Sequence, residues 1–227
     1  DQLREGGYRG SSEVIPYGVD TELYRPIDKR DARRACGFRE HMLDGFVVGR
    51  ADRNASRKRY DLSTRYWSEW WKEAGRPDDA WLYYHCALRD LGWDIQQLAK
   101  YYGIEERLVL TARDLNPALL VPQHLMPSIY NSWDVHLSTA MGEGWGLVTH
   151  ESAACGVPQI LPRYSALAEV WDGVGHFIDC TGTTATVGGC NTIGGIVDEE
   201  LTINAISYFD TCRHMWDYHG KLAFDRA

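Results

Sequence analysis

Two carboxylates and three glycines lie together between residues 141 and 151. Gly142, Gly144 and Gly146 surround Glu143, and Glu151 follows eight residues after Glu143, inside a helical pattern. Glycine lets backbone N–H groups approach a ligand closely, and the N-terminus of a helix favours a phosphate. Carboxylates accept hydrogen bonds from sugar hydroxyls. The segment therefore indicates a site for a ligand with phosphate and hydroxyl groups, or else a Gly-rich turn with an internally paired Glu151.

A cationic cluster lies earlier in the chain. Arg50, Arg53, Arg57, Lys58 and Arg59 fall within ten positions. Such side chains can neutralise a diphosphate, whereas a solvated charged loop is the simplest alternative. Together with the two carboxylates, the cluster favours a nucleotide-sugar ligand. The cations would hold its diphosphate, one carboxylate its ribose and the other its hexose.

Alternating strand and helix patterns would position both segments. Apolar runs predict strands at residues 46–48, 81–84, 107–110, 134–137, 159–161 and 175–178. Helical spacing predicts helices at residues 28–36, 61–74, 94–102, 123–132, 147–155 and 198–208. This alternation is typical of an α/β fold with a Rossmann-like, doubly wound parallel sheet of about six strands. Ligands bind outside the carboxyl ends of such strands, so the cationic cluster and the Gly-rich segment should meet at one edge.

Three further segments carry local predictions. Residues 14–20 read as a short strand running into a turn, and residues 181–195 read as a Gly- and Thr-rich loop. The aromatic cluster of Trp67, Trp70 and Trp71 has helical spacing, which favours packing inside the protein over a platform for sugars.

Composition limits the classes of function. The chain has 227 residues, 44% of them hydrophobic, and its formal net charge is −8. It is therefore expected to fold, without a transmembrane segment, and a nucleic-acid-binding basic loop is the least favoured hypothesis. Its six cysteines form no CxxC pair, and no metal-ligand spacing is evident, so we expect no metal and no cofactor. A start without a secretory pattern favours a cytoplasmic protein.

The two carboxylates resemble the EX7E pattern of retaining GT-B glycosyltransferases, those of family 4, also called group 1. Other segments resemble that family in the same order along the chain. They are VIPYGVD at residues 14–20, VVGR at 47–50, IYNSWDV at 129–135, EGWGL at 143–147 and ESAACGVP at 151–158. The resemblance covers residues 12–171 and implies the C-terminal, donor-binding domain of such an enzyme.

The resemblance also implies roles for individual residues. Arg50 and Lys58 would contact the donor diphosphate, Glu151 the ribose and Glu143 the transferred sugar, so Glu143, Arg50 and Lys58 would carry the catalysis. Arg57 is an alternative to Lys58, because the stretch from Arg50 is longer than usual. The implied donor-binding set is Gly49, Arg50, Arg57, Lys58, Arg113, Glu143, Gly144, Trp145, Gly146, Leu147 and Glu151.

The family pattern further implies a division of the chain. Residues 1–40 would be a connecting segment from a missing N-terminal acceptor domain, and residues 41–227 the nucleotide-sugar donor-binding domain. The donor would be a UDP- or GDP-sugar, and sugar transfer would require the missing domain. The alternative is a non-catalytic nucleotide-sugar-binding module or a decayed fragment.

Overall fold

The computed structural model describes residues 2–111, 121–186 and 193–227. Within these ranges the strands are β1 (Phe46–Ala51), β2 (Ala80–His85), β3 (Leu108–Leu110), β4 (Val135–Leu137), β5 (Gln159–Pro162), β6 (His176–Ile178), β7 (Cys180–Ala185) and β8 (Ile193–Val197). The α-helices there are α1 (Gln2–Glu5), α2 (Lys29–Ala35), α3 (Tyr60–Glu73), α4 (Ile95–Tyr102), α5 (Met126–Asn131), α6 (Leu147–Ala154), α7 (Ser165–Val170), α8 (Glu199–Thr211) and α9 (Trp216–Arg226).

The main sheet is parallel throughout, with the strand order β3-β2-β1-β4-β5-β6 among the described residues. The predicted α/β class and the doubly wound sheet are thus confirmed. The strand order reverses between β1 and β4, which lie side by side in the sheet. Ligands of such folds bind at this switch point, outside the carboxyl ends of the strands.

Helices cover both faces of the sheet. One core packs α3, α4 and α8 on the sheet, and the other packs α5, α6 and the chain around α2 on the opposite face. The tryptophans Trp67 and Trp70 of α3 are buried in the first core, which confirms the prediction that they pack inside the protein. Burial of several aromatic side chains stabilises α3 far more than its own helix propensity does.

The start of α3 differs from the prediction. The helix predicted from residue 61 begins one residue earlier, at Tyr60, and Arg59 occupies the capping position in a left-handed conformation. The Asp61 carboxylate accepts a hydrogen bond from Arg59, at 2.8 Å. The turn out of the cationic cluster therefore runs directly into the helix.

The predicted loop at residues 181–195 is wrong for most of its length. Strands β7 and β8 form an antiparallel hairpin, and residues 187–192 lie outside the described part of the chain. The β-branched threonines of β7 suit an extended strand. In β8, a side chain on Gly194 would collide with the Met141 carbonyl oxygen at 2.4 Å. Glycine at position 194 therefore allows the backbones of β8 and the Met141 segment to approach closely.

The predicted strand at residues 14–20 is also absent from the described structure. This segment has no strand to pair with, and Val14 is 82% exposed. Further on, Tyr24 and α2 pack against the sheet on the side of α5. The division of the chain between residues 40 and 41 stays a prediction, although this packing begins well before residue 40.

Candidate functional site

The loops after β1 and β4 are joined at the switch point of the sheet. The Met141 N–H donates to the Arg57 carbonyl oxygen at 2.9 Å. The Thr139 hydroxyl donates to the Arg59 carbonyl oxygen at 2.8 Å. The cationic cluster and the Gly-rich segment therefore meet at one edge of the sheet, as the sequence predicted.

Arg50 lies beneath this edge with none of its surface exposed. Its Nε donates to Asp52 at 3.1 Å and its Nη1 to the Ser63 hydroxyl at 3.1 Å. The guanidinium also donates to the Lys58 carbonyl oxygen. Burial alone would lower the pKa of Arg50, but the Asp52 carboxylate and two neighbouring tyrosines together outweigh that effect and raise the pKa. Arg50 is therefore a permanent cation that holds the loop after β1 from below.

Lys58 joins the two loops by charge. Its Nζ forms ion pairs with both Asp52 and Glu143. Arg57 adds a hydrogen bond to the Gly142 carbonyl oxygen at 3.1 Å and approaches Glu143 at 3.4 Å. Two cations thus gather around the first carboxylate of the Gly-rich segment.

Asp52 is a site residue that the sequence reasoning missed. Its side chain is nearly buried between Arg50 and Lys58. Burial favours the neutral acid, but the charges of Lys58 and Arg50 prevail and lower the pKa of Asp52. An acidic residue two positions after Arg50, inside a cationic cluster, was the available signal.

The Gly-rich segment is held in shape from the opposite side. The Ser165 hydroxyl accepts a hydrogen bond from the Glu143 N–H at 2.9 Å. Gly146 adopts a φ of +87° immediately before α6, and a Cβ there would lie 2.7 Å from the Leu167 side chain. Only glycine suits that position. The N-terminus of α6 therefore opens toward Lys58 and Glu143.

Glu151 occupies a different environment, four residues into α6. Its carboxylate accepts a hydrogen bond from the Tyr130 hydroxyl at 2.5 Å. Burial raises the pKa of Glu151, and hydrogen bonds from Tyr130 and Tyr24 offset part of that rise. Glu143 and Glu151 thus lie in separate environments and do not form an acid–base pair.

A cleft of about 280 Å³ opens at the switch point. Its lining residues are Asp52, Lys58, His136, Ser138, Glu143, Trp145, Gly146, Leu147, Val148 and Thr149. At its rim the Trp145 ring stacks on His150, with centroids 5.2 Å apart, and Tyr17 approaches the same indole edge-on.

The structure brings together part of the predicted donor-binding set. Lys58, Glu143, Trp145, Gly146 and Leu147 line the cleft. Five predicted residues are absent from the described lining, each for its own reason. Arg57 and Gly144 stand beside the cleft, and Arg50 lies beneath it. Glu151 faces Tyr130. Gly49 lies against the Trp133 ring, where a Cβ would come within 1.9 Å of the ring.

The last member of the predicted set, Arg113, lies outside the described residues. Its role stays a prediction. Within the described ranges, no group of three or more His, Cys, Asp or Glu side chains could hold a metal ion. No helix in those ranges is both long and apolar enough to cross a membrane.

The chain is similar to several known proteins. No protein-family model matches it. The D-inositol 3-phosphate glycosyltransferase of Acidothermus cellulolyticus is 28% identical over 219 residues, which are 90% of this chain and 45% of that protein. The enzyme of the same name from Mycobacterium marinum is 29% identical over 180 residues, covering 74% of this chain and 34% of that one. The chain thus spans less than half the length of these curated relatives.

Solved structures agree on the fold. Sucrose-phosphate synthase from Thermosynechococcus elongatus superimposes with a TM-score of 0.74 at 19% identity, over 99% of this chain and 50% of that one. The C-terminal domain of the group 1 glycosyl transferase LpcC from Francisella tularensis gives 0.67 at 15% identity, over 92% of this chain and 96% of that one. The chain is similar in sequence to curated glycosyltransferases. It has the Rossmann-like GT-B fold of the C-terminal domain in these structures.

A third structural relative was solved with a ligand. HepE from Anabaena, in complex with UDP, superimposes on the glycosyltransferase-like chain with a TM-score of 0.69 at 18% identity. The match covers 99% of this chain and 54% of HepE. HepE has also been solved with UDP-glucose.

Proposed function

We propose that the chain binds a nucleotide-diphospho-sugar and forms the donor-binding half of a retaining glycosyltransferase. One observation carries the proposal. Lys58 stands between Asp52 and Glu143 in a cleft at the β1–β4 switch point, where the N-terminus of α6 opens. A cation, a helix N-terminus and a carboxylate in one cleft match a diphosphate joined to a hydroxyl-rich sugar.

Each side chain then has a role that follows from its surroundings. Lys58, with Arg57 beside it, would neutralise the charge that develops on the leaving diphosphate. Glu143 would accept hydrogen bonds from the sugar and orient it. Glu151, on the side of Tyr130, would accept from the ribose. Arg50 would keep the Lys58 loop in place from below, because its own donors are engaged with protein groups.

The relatives support the proposal in two ways. The curated proteins that the chain resembles are named glycosyltransferases. The structural relative HepE was solved with UDP and with UDP-glucose. On this basis a UDP-sugar is the preferred donor and a GDP-sugar the second choice. Because the relatives are about twice as long as the chain, we propose that transfer also needs an acceptor-binding half.

Calorimetric titration of the chain with UDP, GDP and ADP tests the binding site. We expect one nucleotide to bind with a standard free energy of roughly −4 to −8 kcal/mol. The Glu151→Ala variant should lose this binding, whereas Glu200→Ala, which removes an exposed carboxylate from α8, should keep it. If none of the three nucleotides bound to the folded chain, the proposed function would be overturned.

The stereochemical part of the proposal needs a second experiment. In an enzyme that contains both halves, NMR of the product should show the same anomeric configuration as the donor sugar. A product of inverted configuration would contradict the retaining mechanism while leaving donor binding intact. Donor binding without any transfer in such an enzyme would favour the non-catalytic module.

A further inference from the structure

His136 is a buried histidine at the floor of the cleft. It stands in the middle of β4, is 2% exposed, and belongs to the lining together with Asp52 and Lys58. Its ring stacks on Trp133, with centroids 5.8 Å apart. Such burial is typical of a core residue. Its hydrogen bonds, however, leave one side of the ring open.

The proton on the His136 ring can be placed from its neighbours. The Gln159 amide nitrogen donates to the Val157 carbonyl oxygen at 2.6 Å. A carbonyl oxygen can only accept, so the amide oxygen of Gln159 must be the atom that faces His136 Nδ1, at 2.6 Å. Nδ1 therefore donates. Because burial lowers the pKa of His136 to about 4, the ring is neutral near pH 7, and Nε2 carries a lone pair.

That lone pair has no partner in the described part of the chain. Among the described residues, five buried side-chain N or O atoms lack a hydrogen-bond partner. Four of them are indole N–H donors, and His136 Nε2 is the remaining one and the single acceptor. A buried acceptor without a donor is costly, and it is expected to be satisfied by a bound group or a water molecule.

The chemistry of the cleft indicates which part of a ligand could satisfy it. Three of its lining residues present acceptors, namely Asp52, Glu143 and His136, and the Lys58 ammonium lies between the two carboxylates. An ionised phosphate has no hydrogen to donate to such groups, whereas a sugar hydroxyl has one. Glu151, the proposed ribose partner, faces Tyr130 instead. The sugar is thus the end of the ligand expected on the His136 side.

We infer that His136 Nε2 accepts a hydrogen bond from a hydroxyl of the transferred sugar and so helps to determine which sugar is bound. The inference rests on the proposed function and deepens it. Gln159 acts as a positioning residue, because its amide oxygen holds the proton on Nδ1 and keeps Nε2 free to accept.

Binding of the nucleotide and of the nucleotide sugar separates this role from a structural one. UDP, UDP-glucose, UDP-galactose and UDP-N-acetylglucosamine are titrated into the wild-type chain and into His136→Phe. For the sugar nucleotide that wild type binds most tightly, we expect a loss of about 5- to 30-fold in the variant, as for one lost hydrogen bond. The affinity for UDP should change less than twofold.

A matched variant controls for the loss of a histidine from the parallel sheet. His176→Phe makes the same change in β6, where the ring stacks on Tyr208 away from the cleft, and it should bind every ligand as wild type does. An equal loss of UDP and sugar-nucleotide affinity in His136→Phe, or no loss of either, would overturn the inference. If wild type bound none of the four ligands, the proposed function would fail and the inference with it.

A spectroscopic measurement on the wild type keeps the inference testable if His136→Phe does not fold. The ¹⁵N resonances of the His136 ring should show a protonated Nδ1 and an unprotonated Nε2. Addition of the bound sugar nucleotide should shift Nε2, whereas UDP alone should leave it in place. A protonated Nε2, or an equal shift with UDP alone, would contradict a hydrogen bond to the sugar.

Discussion

Two buried aspartates, each with two cationic partners, stand at opposite ends of the strands. Asp134 directly precedes β4 and accepts from Arg33 at 2.6 Å, from Lys29 at 2.5 Å and from the Val47 N–H at 2.7 Å. Asp52 directly follows β1 and pairs with Arg50 and Lys58. The residue types are the same, but the cations of the two clusters have different further partners.

The Asp134 cluster is closed around its guanidinium, although Lys29 and Asp134 also line a separate cleft of about 400 Å³. Arg33 also donates to the carbonyl oxygens of Ser132, Leu43 and Gly45, so the guanidinium joins α2 to the sheet with every side engaged. In the open Asp52 cluster, Lys58 instead reaches across to Glu143, in a cleft that the first turn of α6 also lines. The comparison teaches that an ion-pair cluster becomes a candidate binding site where its cation meets a second carboxylate and a helix N-terminus in one cleft.

The largest expected effect concerns the closed cluster. Asp134→Ala leaves the Arg33 charge buried without a counter-ion, which should lower the free energy of unfolding by about 3–5 kcal/mol. Urea titration measures this loss. Asp44→Ala, which removes an exposed partner of Arg30, should cost far less, because exposed ion pairs contribute little to stability. Equal losses in the two variants would show that the buried Asp134 ion pairs stabilise the fold no more than an exposed ion pair does.

A smaller effect on binding should distinguish the two lysines. Lys58→Met removes the cation of the open cluster and should weaken binding of the preferred nucleotide by about 10- to 100-fold, or about 1.5–3 kcal/mol. Lys29→Met makes the same change in the closed cluster and should leave that affinity unaltered. Calorimetry measures the nucleotide affinity of both variants. A comparable loss of affinity in both would show that the two clusters do not differ in their role in binding.

The pH dependence of stability reports on the floor of the cleft. The pKa of His136 falls from 6.5 to about 4 on folding because of burial. Its neutral form is therefore favoured in the folded state, and this stability is present above pH 6.5 and lost as the pH falls toward 4. Between pH 7 and pH 5 the free energy of unfolding should drop by about 2 kcal/mol through this group. Urea titrations at both pH values should show a drop smaller by that amount in His136→Phe. Identical pH dependence in the two proteins would mean that His136 is not buried as a neutral ring.

The smallest expected effect concerns the shape of the open site. Ser165→Ala removes the acceptor of the Glu143 N–H and should cost about 1 kcal/mol. For a chain of this length the melting temperature should fall by about 2–4 °C. Ser12→Ala, in an exposed segment, should leave the melting temperature unchanged. If Ser165→Ala melted as wild type does, Ser165 would not be holding the Gly-rich segment.

Local patterns predicted the main elements well. Asp28 and Asp94 cap α2 and α4 through hydrogen bonds to backbone N–H groups, within one residue of the starts that the sequence indicated. The hairpin was missed because the close approach of Gly194 to Met141 depends on residues more than 50 positions apart. Glycine and threonine in such a segment suit a loop and a strand alike.

The sequence by itself determined the alternation of strands and helices, the sheet class and the meeting of two polar loops at one edge. These follow from the periodicity of apolar residues and from the geometry of parallel sheets. Tertiary structure alone decided which polar groups face the cleft. Arg50 and Lys58 look equivalent in the chain, yet the fold buries the first beneath the loop and leaves the second in the cleft. Whether a polar side chain binds the protein or a ligand depends on which partners the packed chain brings within hydrogen-bond distance, and spacing along the sequence does not specify those partners.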